Sequence, residues 1–267
     1  VALAEDKLFA QLRRATGKAI GDFGLIEEGD RILVGVSGGK DSYALLHLLD
    51  SLRRRSPISY QLVAANVDSG FPGFRKEVVE AHLVEHGFEY LMEPTNCYEI
   101  IETKKRPGTS YCSFCARLRR GVLYSLADRL GCNKIALGHH LDDFIETLLL
   151  NQFYAGSIKA MSPKLQADNG RHTVIRPLVY VEEGDIIRFM RQHRLPVICC
   201  ACPVCGEVTQ QRQRMKALIR ELSQENPHLK RNMLHALAHV HPRHLLDQRL
   251  VDFSLISKQL QGTDVAE

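Results

Sequence analysis

The chain has 267 residues, 45% of them apolar and 25% charged, with a net charge of +4. That is enough apolar material for one substantial core, and the charge balance is ordinary for a water-soluble protein. No run approaches the ~20 apolar residues a membrane helix requires, and the acid-bearing N-terminal segment reads as an amphipathic helix, not a signal peptide. Membrane function is excluded and a cytoplasmic location is expected.

In chain order, residues 5–26 form a lead helix. RILVGV (31–36) is a short apolar run of strand length, and a glycine-rich stretch follows. In DSYALLHLLDSLRRR, Ala44, Leu45, Leu48, Leu49 and Leu52 recur at helical spacing. The order is therefore strand, glycine loop, helix. QLVAANVD (61–68) predicts a second strand, about 74–87 a helix, and FEYLME (88–93) a third strand. CARLRRGVLYSLADRLG (115–131) predicts a helix closed by Gly131, KIALG (134–138) a fourth strand, and DDFIETLLLNQF another helix. Such alternation implies an α/β fold: an open, parallel, twisted Rossmann-like sheet with helices on both faces. After Tyr154 the pattern changes. AGSIKAMSPK is loop-like, VIRPLVYV (174–181) is extended, GDIIRFMRQHRL is helical, and mainly helical sequence follows. The expected divisions are an N-terminal helix (1–28), a nucleotide-binding domain (29–182), a helical C-terminal region (183–253) and a weakly periodic tail (254–267).

Ser37-Gly38-Gly39-Lys40-Asp41-Ser42 follows the first strand and opens a helix. Two glycines let backbone N–H groups approach an anion, and the helix N-terminus adds donors and positive partial charge. Ser37 and Ser42 offer hydroxyls, Lys40 a phosphate-neutralising cation, and Asp41 a ligand for Mg2+ or a helix cap. The spacing is neither GxxxxGK[ST] nor GxGxxG.

Eight cysteines are many for a reducing compartment, where disulfides are rare. Cys112 and Cys115 form one CxxC and Cys202 and Cys205 another, with Cys199 and Cys200 close by. Spacing leaves three readings open: a four-thiolate zinc site, a 4Fe-4S cluster on three thiolates with one open position, or a redox pair. Zinc is foremost on spacing alone. Residues 206–250 hold eight Lys/Arg against four Asp/Glu, with five of the twelve histidines, which suits a polyanionic partner or a solvated basic face.

SGGKDS resembles the signature of the PP-loop ATP pyrophosphatase family, enzymes that cleave ATP between the α and β phosphates. Asn66-Val67-Asp68 and Gly138-His139-His140-Leu141-Asp142-Asp143 resemble that family's nucleoside-contacting and GHxxDD elements. YCSFCARLRRG, GDRILVGVSGGKDSYALL, KIALGHHLDDFIETLLLN, VIRPLVY and HPRHLLDQRLVDF are similar to the tRNA 2-thiocytidine synthetases, over roughly residues 10–253. The resemblance implies an ATP- and Mg2+-dependent enzyme that adenylates O2 of cytidine 32 in the tRNA anticodon loop and replaces it with sulfur. It implies a 4Fe-4S cluster on Cys112, Cys115 and one of Cys202 or Cys205, whose fourth iron is free to bind the sulfur. It also implies a cysteine desulfurase as sulfur source and a homodimer. ATP would be held by Ser37, Gly38, Gly39, Lys40, Asp41, Ser42, Asp68, Gly138 and His139, with Asp41, Asp142, Asp143 and Arg119 as catalytic candidates. Cys199 and Cys200 depart from the family pattern and offer alternative thiols.

Two rivals stand beside this reading. One is a thiolase acting on uridine through a persulfide relay over structural zinc. The other is a non-catalytic zinc- and RNA-binding module, against which the intact SGGKDS and GHHLDD argue. Lysidine synthetases share the glycine loop but are not known for the cysteines.

Overall fold

The computed structural model describes residues 3–105, 111–167, 170–202 and 210–253. The elements run α1 (Lys7–Asp22), β1 (Arg31–Gly35), α2 (Lys40–Arg53), β2 (Gln61–Asp68), α3 (Lys76–Glu85), β3 (Tyr90–Pro94), α4 (Cys97–Lys104), α5 (Tyr111–Arg129), β4 (Lys134–Ala136), α6 (Leu141–Ala155), β5 (Lys164–Gln166), β6 (Thr173–Ile175), α7 (Glu183–Gln192), α8 (Gln210–Glu225) and α9 (Leu229–Ala238). The strands form one sheet in the order β3-β2-β1-β4-β6-β5. Every pairing is parallel except β5 with β6.

Alternation along β1 assigns the two faces. Ile32 and Val34 point into the larger core, with Phe9 and Leu12 of α1, Tyr43, Leu45 and Leu49 of α2, Val79 of α3 and Phe189 of α7. Leu33 points the other way, against Leu126 and Ala127 of α5 and Val63, Ala65 and Val67 of β2. Helices thus cover both faces, which is what a parallel sheet buried on both sides needs. Beyond the sheet, α8 packs Met215 and Ile219 onto Leu141, Ile145 and Leu149 of α6. Among the described residues no helix is long and apolar enough to cross a membrane.

The strand order reverses between β1 and β4. Their outgoing loops therefore part on opposite faces and leave a crevice at the carboxyl ends, where open α/β sheets take ligands. Several sequence expectations need correction. VIRPLVYV is not one extended segment: pairing stops at Ile175 and the chain turns through 177–180, with Val181 N–H donating to Leu178 O at 2.8 Å. Pro177 has no N–H to continue a ladder. The fifth helix starts at Tyr111, so the first CxxC lies within its opening turn, not before it. The short α4 and the antiparallel edge strand β5 are not anticipated at all. The tail 254–267 lies outside the described residues.

Candidate active site

The phosphate loop is tied to itself before it meets any ligand. Ser42 Oγ donates to Gly39 O at 2.8 Å and accepts from Ser37 N–H at 3.2 Å, while Gly39 N–H donates to Ser37 Oγ at 3.3 Å. Two glycines are required by what surrounds them. Gly38 has φ +82°, and a Cβ there would lie 2.4 Å from Cγ1 of Ile198. A Cβ on Gly138 would lie 2.9 Å from the Asp41 carbonyl, so the loops after β1 and β4 touch backbone to backbone.

Between these loops opens a cleft of about 410 Å3. Ser37, Gly39, Asp41, Ser42, Gly138, His139, Asp143 and Arg119 line it, with Ala65, Val67, Leu123 and Leu137 as apolar walls. His140 caps α6: its backbone N–H donates to Asp143 Oδ2 at 3.0 Å. Its buried ring gathers carboxylates, with Nε2 3.6 Å from Asp41 Oδ1 and 3.5 Å from Asp143 Oδ2. Asp41 Oδ1 is buried with no hydrogen-bond partner. Two converging carboxylates, one oxygen unsatisfied, are the donor set a hard divalent cation takes. His139 accepts from Arg176 Nε–H at 3.3 Å. Burial first, and the Arg176 guanidinium second, push its pKa down to about 4, so the ring is neutral at physiological pH.

A second cavity, about 140 Å3, adjoins the first. Cys112, Cys115, Cys200 and Cys202 line it, with Tyr111, Phe71 and Phe74. The sulfurs of Cys200 and Cys202 are 3.3 Å apart. Cys112 and Cys115 are three residues apart in the opening turn of α5 and so share one helix face. Burial raises the Cys115 thiol, with Arg119 acting in the opposite sense. Ser37, Val67, Ala116 and Arg119 line both cavities, so the thiols open onto the phosphate loop. The link is also made by the backbone: Ile198 N–H donates to Gly38 O at 3.0 Å.

A family model for the PP-loop domain matches residues 8–199. The tRNA-cytidine(32) 2-sulfurtransferase of Geobacter metallireducens is 62% identical over 246 residues, which is 92% of this chain and 96% of that protein. The chain belongs to the tRNA-cytidine(32) 2-sulfurtransferase family of PP-loop proteins. The protein of the same name from Syntrophotalea carbinolica is 63% identical over 251 residues, 94% of this chain and 97% of its own length. Among solved structures, the U34-tRNA thiolase NcsA from Methanococcus maripaludis with its 4Fe-4S cluster superposes with a TM-score of 0.71 at 22% identity, covering 88% of this chain and 80% of that one. That likeness establishes the shared PP-loop fold.

Not every residue expected at the PP-loop site faces it. Asp142 turns away: it accepts from Glu183 N–H at 2.7 Å and pairs with Lys230 at 2.7 Å. Asp68 accepts from Gly70 N–H at 2.9 Å and pairs with Lys76 at 3.2 Å, at the edge of the site. Lys40 is held by Asp41 at 2.9 Å and by Glu183 at 3.0 Å. Cys205 lies outside the described residues. Arg212 and Glu183 also belong to the site, though no sequence motif marks them. Arg212 reaches the cleft from α8 while paired with buried Glu146 at 3.1 Å, and Glu183 holds the loop lysine. Their only sequence signal was a basic segment and an acidic helix start. Cys200, one of the two alternative thiols expected from the sequence, lines the cavity beside Cys202. Part of the basic C-terminal segment is also paired within the chain. Arg212, Lys216, Lys230 and Arg231 pair with Glu146, Glu183, Asp142 or Glu182, so it is not simply an outward-facing charged surface.

Proposed function

We propose that this chain is an ATP-dependent tRNA sulfurtransferase that converts cytidine 32 of the anticodon loop to 2-thiocytidine, forming AMP and pyrophosphate. The observation that carries the reading is the junction at Ser37, Val67, Ala116 and Arg119, where a phosphate-binding cleft and a four-thiol cavity become one space. Adenylation and sulfur delivery at one base need that continuity.

The thiol cavity fits an iron–sulfur cluster by its donor set: soft thiolates from two segments. Cys112 and Cys115 would hold it with Cys202, which is less exposed than Cys200 beside it. Bound there, a 4Fe-4S cluster with three protein ligands supplies an iron open to exogenous sulfur. Asp41 and Asp143 would hold Mg2+.

The chain's own groups then have definite tasks. Lys40 and the loop N–H groups orient the ATP phosphates and take up charge on pyrophosphate as it leaves. The cytidine O2 attacks the α phosphorus, and the bond to the β-phosphate oxygen breaks. A sulfur nucleophile then adds at C2, the C2–O2 bond breaks, and AMP departs with that oxygen. Arg119, at the junction, is placed to neutralise the adenylate oxygen in both steps. The base must leave its stack to reach this depth. A cysteine desulfurase as the ultimate sulfur source, a homodimeric assembly and a cytoplasmic location complete the proposal.

The test is anaerobic purification followed by iron and sulfide analysis and nucleoside mass analysis of treated tRNA. A brown protein absorbing near about 400 nm, with about four irons per chain, that makes 2-thiocytidine only with ATP supports it. Iron-free protein carrying zinc on its cysteines, or 2-thiouridine as product, would replace it with the persulfide reading.

A further inference from the structure

Away from the cleft, three imidazoles meet between α2 and α3. His47 comes from the middle of α2, and His82 and His86 lie one turn apart at the end of α3. One ring nitrogen from each lies within 4.8 Å of the other two. His47 and His82 are buried, their Nε2 atoms 2.9 Å apart. His86 Nδ1 is 2.9 Å from His82 O, so that nitrogen carries the proton and donates to the carbonyl. Its Nε2 lone pair is thereby left for another partner. This is how metal-binding histidines are oriented, one nitrogen fixed by a backbone acceptor and the other ligating.

We propose that His47, His82 and His86 bind a divalent transition-metal ion, zinc in the cell, that pins α2 to α3. Two histidines four residues apart on a helix present their rings to one ion, and a third from a neighbouring helix completes a facial set. Tetrahedral zinc with bonds of about 2.0–2.1 Å needs nitrogens about 3.3 Å apart, and the three ring nitrogens here lie within 4.8 Å of one another. Half-buried His86 marks the side from which water completes the coordination. A hydrogen-bonded histidine pair alone would use His47 and His82, whereas here a third ring brings its nitrogen to the same point. The walls are aromatic: Tyr43 lies edge-on to His82 at 4.6 Å and Phe88 to His47 at 5.3 Å.

His47 lies two helical turns beyond Lys40, about 10 Å along α2. The ion would therefore take no part in the chemistry. It would fix the helix whose first turn forms the phosphate loop. This site is independent of the thiols, and the experiment separates the two. Cluster-loaded protein equilibrated with one equivalent of Zn2+ should retain about one zinc beyond its iron. The zinc X-ray absorption should show nitrogen or oxygen at about 2.0 Å with no sulfur shell at about 2.3 Å. Zinc should raise the melting temperature by about 5 °C. His86→Gln, at the half-buried position, should weaken zinc binding by at least about tenfold with iron and sulfide content unchanged, and His47→Gln should do the same. Sulfur in the zinc shell, no retained zinc, or undiminished zinc in both variants would overturn the proposal.

Discussion

The phosphate-loop cleft and the thiol cavity share four lining residues but are held by different parts of the molecule. The cleft sits on strand ends. β1 and β4 are paired through Ile32, Leu33 and Val34, and their loops meet at Gly138 and Asp41. Its geometry follows from sheet register. The cavity joins the first turn of α5 to an irregular stretch, 197–202, that pairs with no strand. That stretch is anchored to the loop through Ile198 and Gly38. One site is fixed by the core and the other by a tether. The cleft should therefore form without the cluster, whereas the cavity should depend on both the cluster and the loop.

The largest effects should separate the two sites cleanly. Cys112→Ser and Cys115→Ser should each abolish 2-thiocytidine formation and strip the iron, while tRNA-dependent pyrophosphate release stays within about tenfold of wild type. Iron analysis and a pyrophosphate assay on the same preparation check this. Lys40→Ala should show the converse: adenylation lower by about 10²–10³-fold with iron content intact. If each variant lost both properties, the two sites would not be separable units and the comparison would fail. Of the second thiol pair, Cys202→Ser should lose iron and Cys200→Ser should keep it. Iron retained in the first and lost in the second would exchange their roles.

A smaller effect should come from Gly38→Ala, because it strikes the tether. The residue sits at φ +82°, and its new methyl would meet the Ile198 side chain. Backbone strain alone costs about 1–2 kcal/mol. Unlike the previous variants it should impair both assays together, with a lower melting temperature.

The difference in construction also decides what could be read beforehand. β2 was legible to its ends, because QLVAANVD is a buried apolar run bounded by polar residues. The SGGKDS turn was legible because each residue type answers a local demand of the phosphate loop. The start of α5 was not, since Cys112-Ser113-Phe114-Cys115 has no helical periodicity to announce it. Nor was β5, three exposed residues whose strand character comes wholly from pairing with β6. Asp142 and Asp143 looked equivalent in sequence. Successive helical residues point about 100° apart, so one lines the cleft and its neighbour braces α7 and α9. The ion pairs of Lys40 with Glu183 and of Arg212 with Glu146 join distant segments and leave no mark in any local window.

The smallest expected effect tests the cleft side of the comparison alone. Glu183 stands at the start of α7 with 26% of its side chain exposed and Lys40 Nζ at 3.0 Å. Burial raises its carboxyl, but Lys40, by hydrogen bond and charge, and then Lys216 outweigh it and hold the pKa at about 2, below the ordinary 4.5. A carboxyl lowered on folding adds stability that is fully present above its unfolded pKa and lost as pH falls toward the folded value. The window is therefore from about pH 4.5 down to about 2. Glu183→Gln should melt about 2–4 °C below wild type at neutral pH, corresponding to about 1 kcal/mol after allowance for solvent screening. Its stability should then fall less steeply than wild type through the acid window, so that the two curves converge. Because Glu183 pairs with Lys40 and Lys216 and does not line the thiol cavity, iron content should not change. A variant that lost iron would show that α7 supports the thiol cavity as well, and the cleft would no longer be the self-sufficient half of the site.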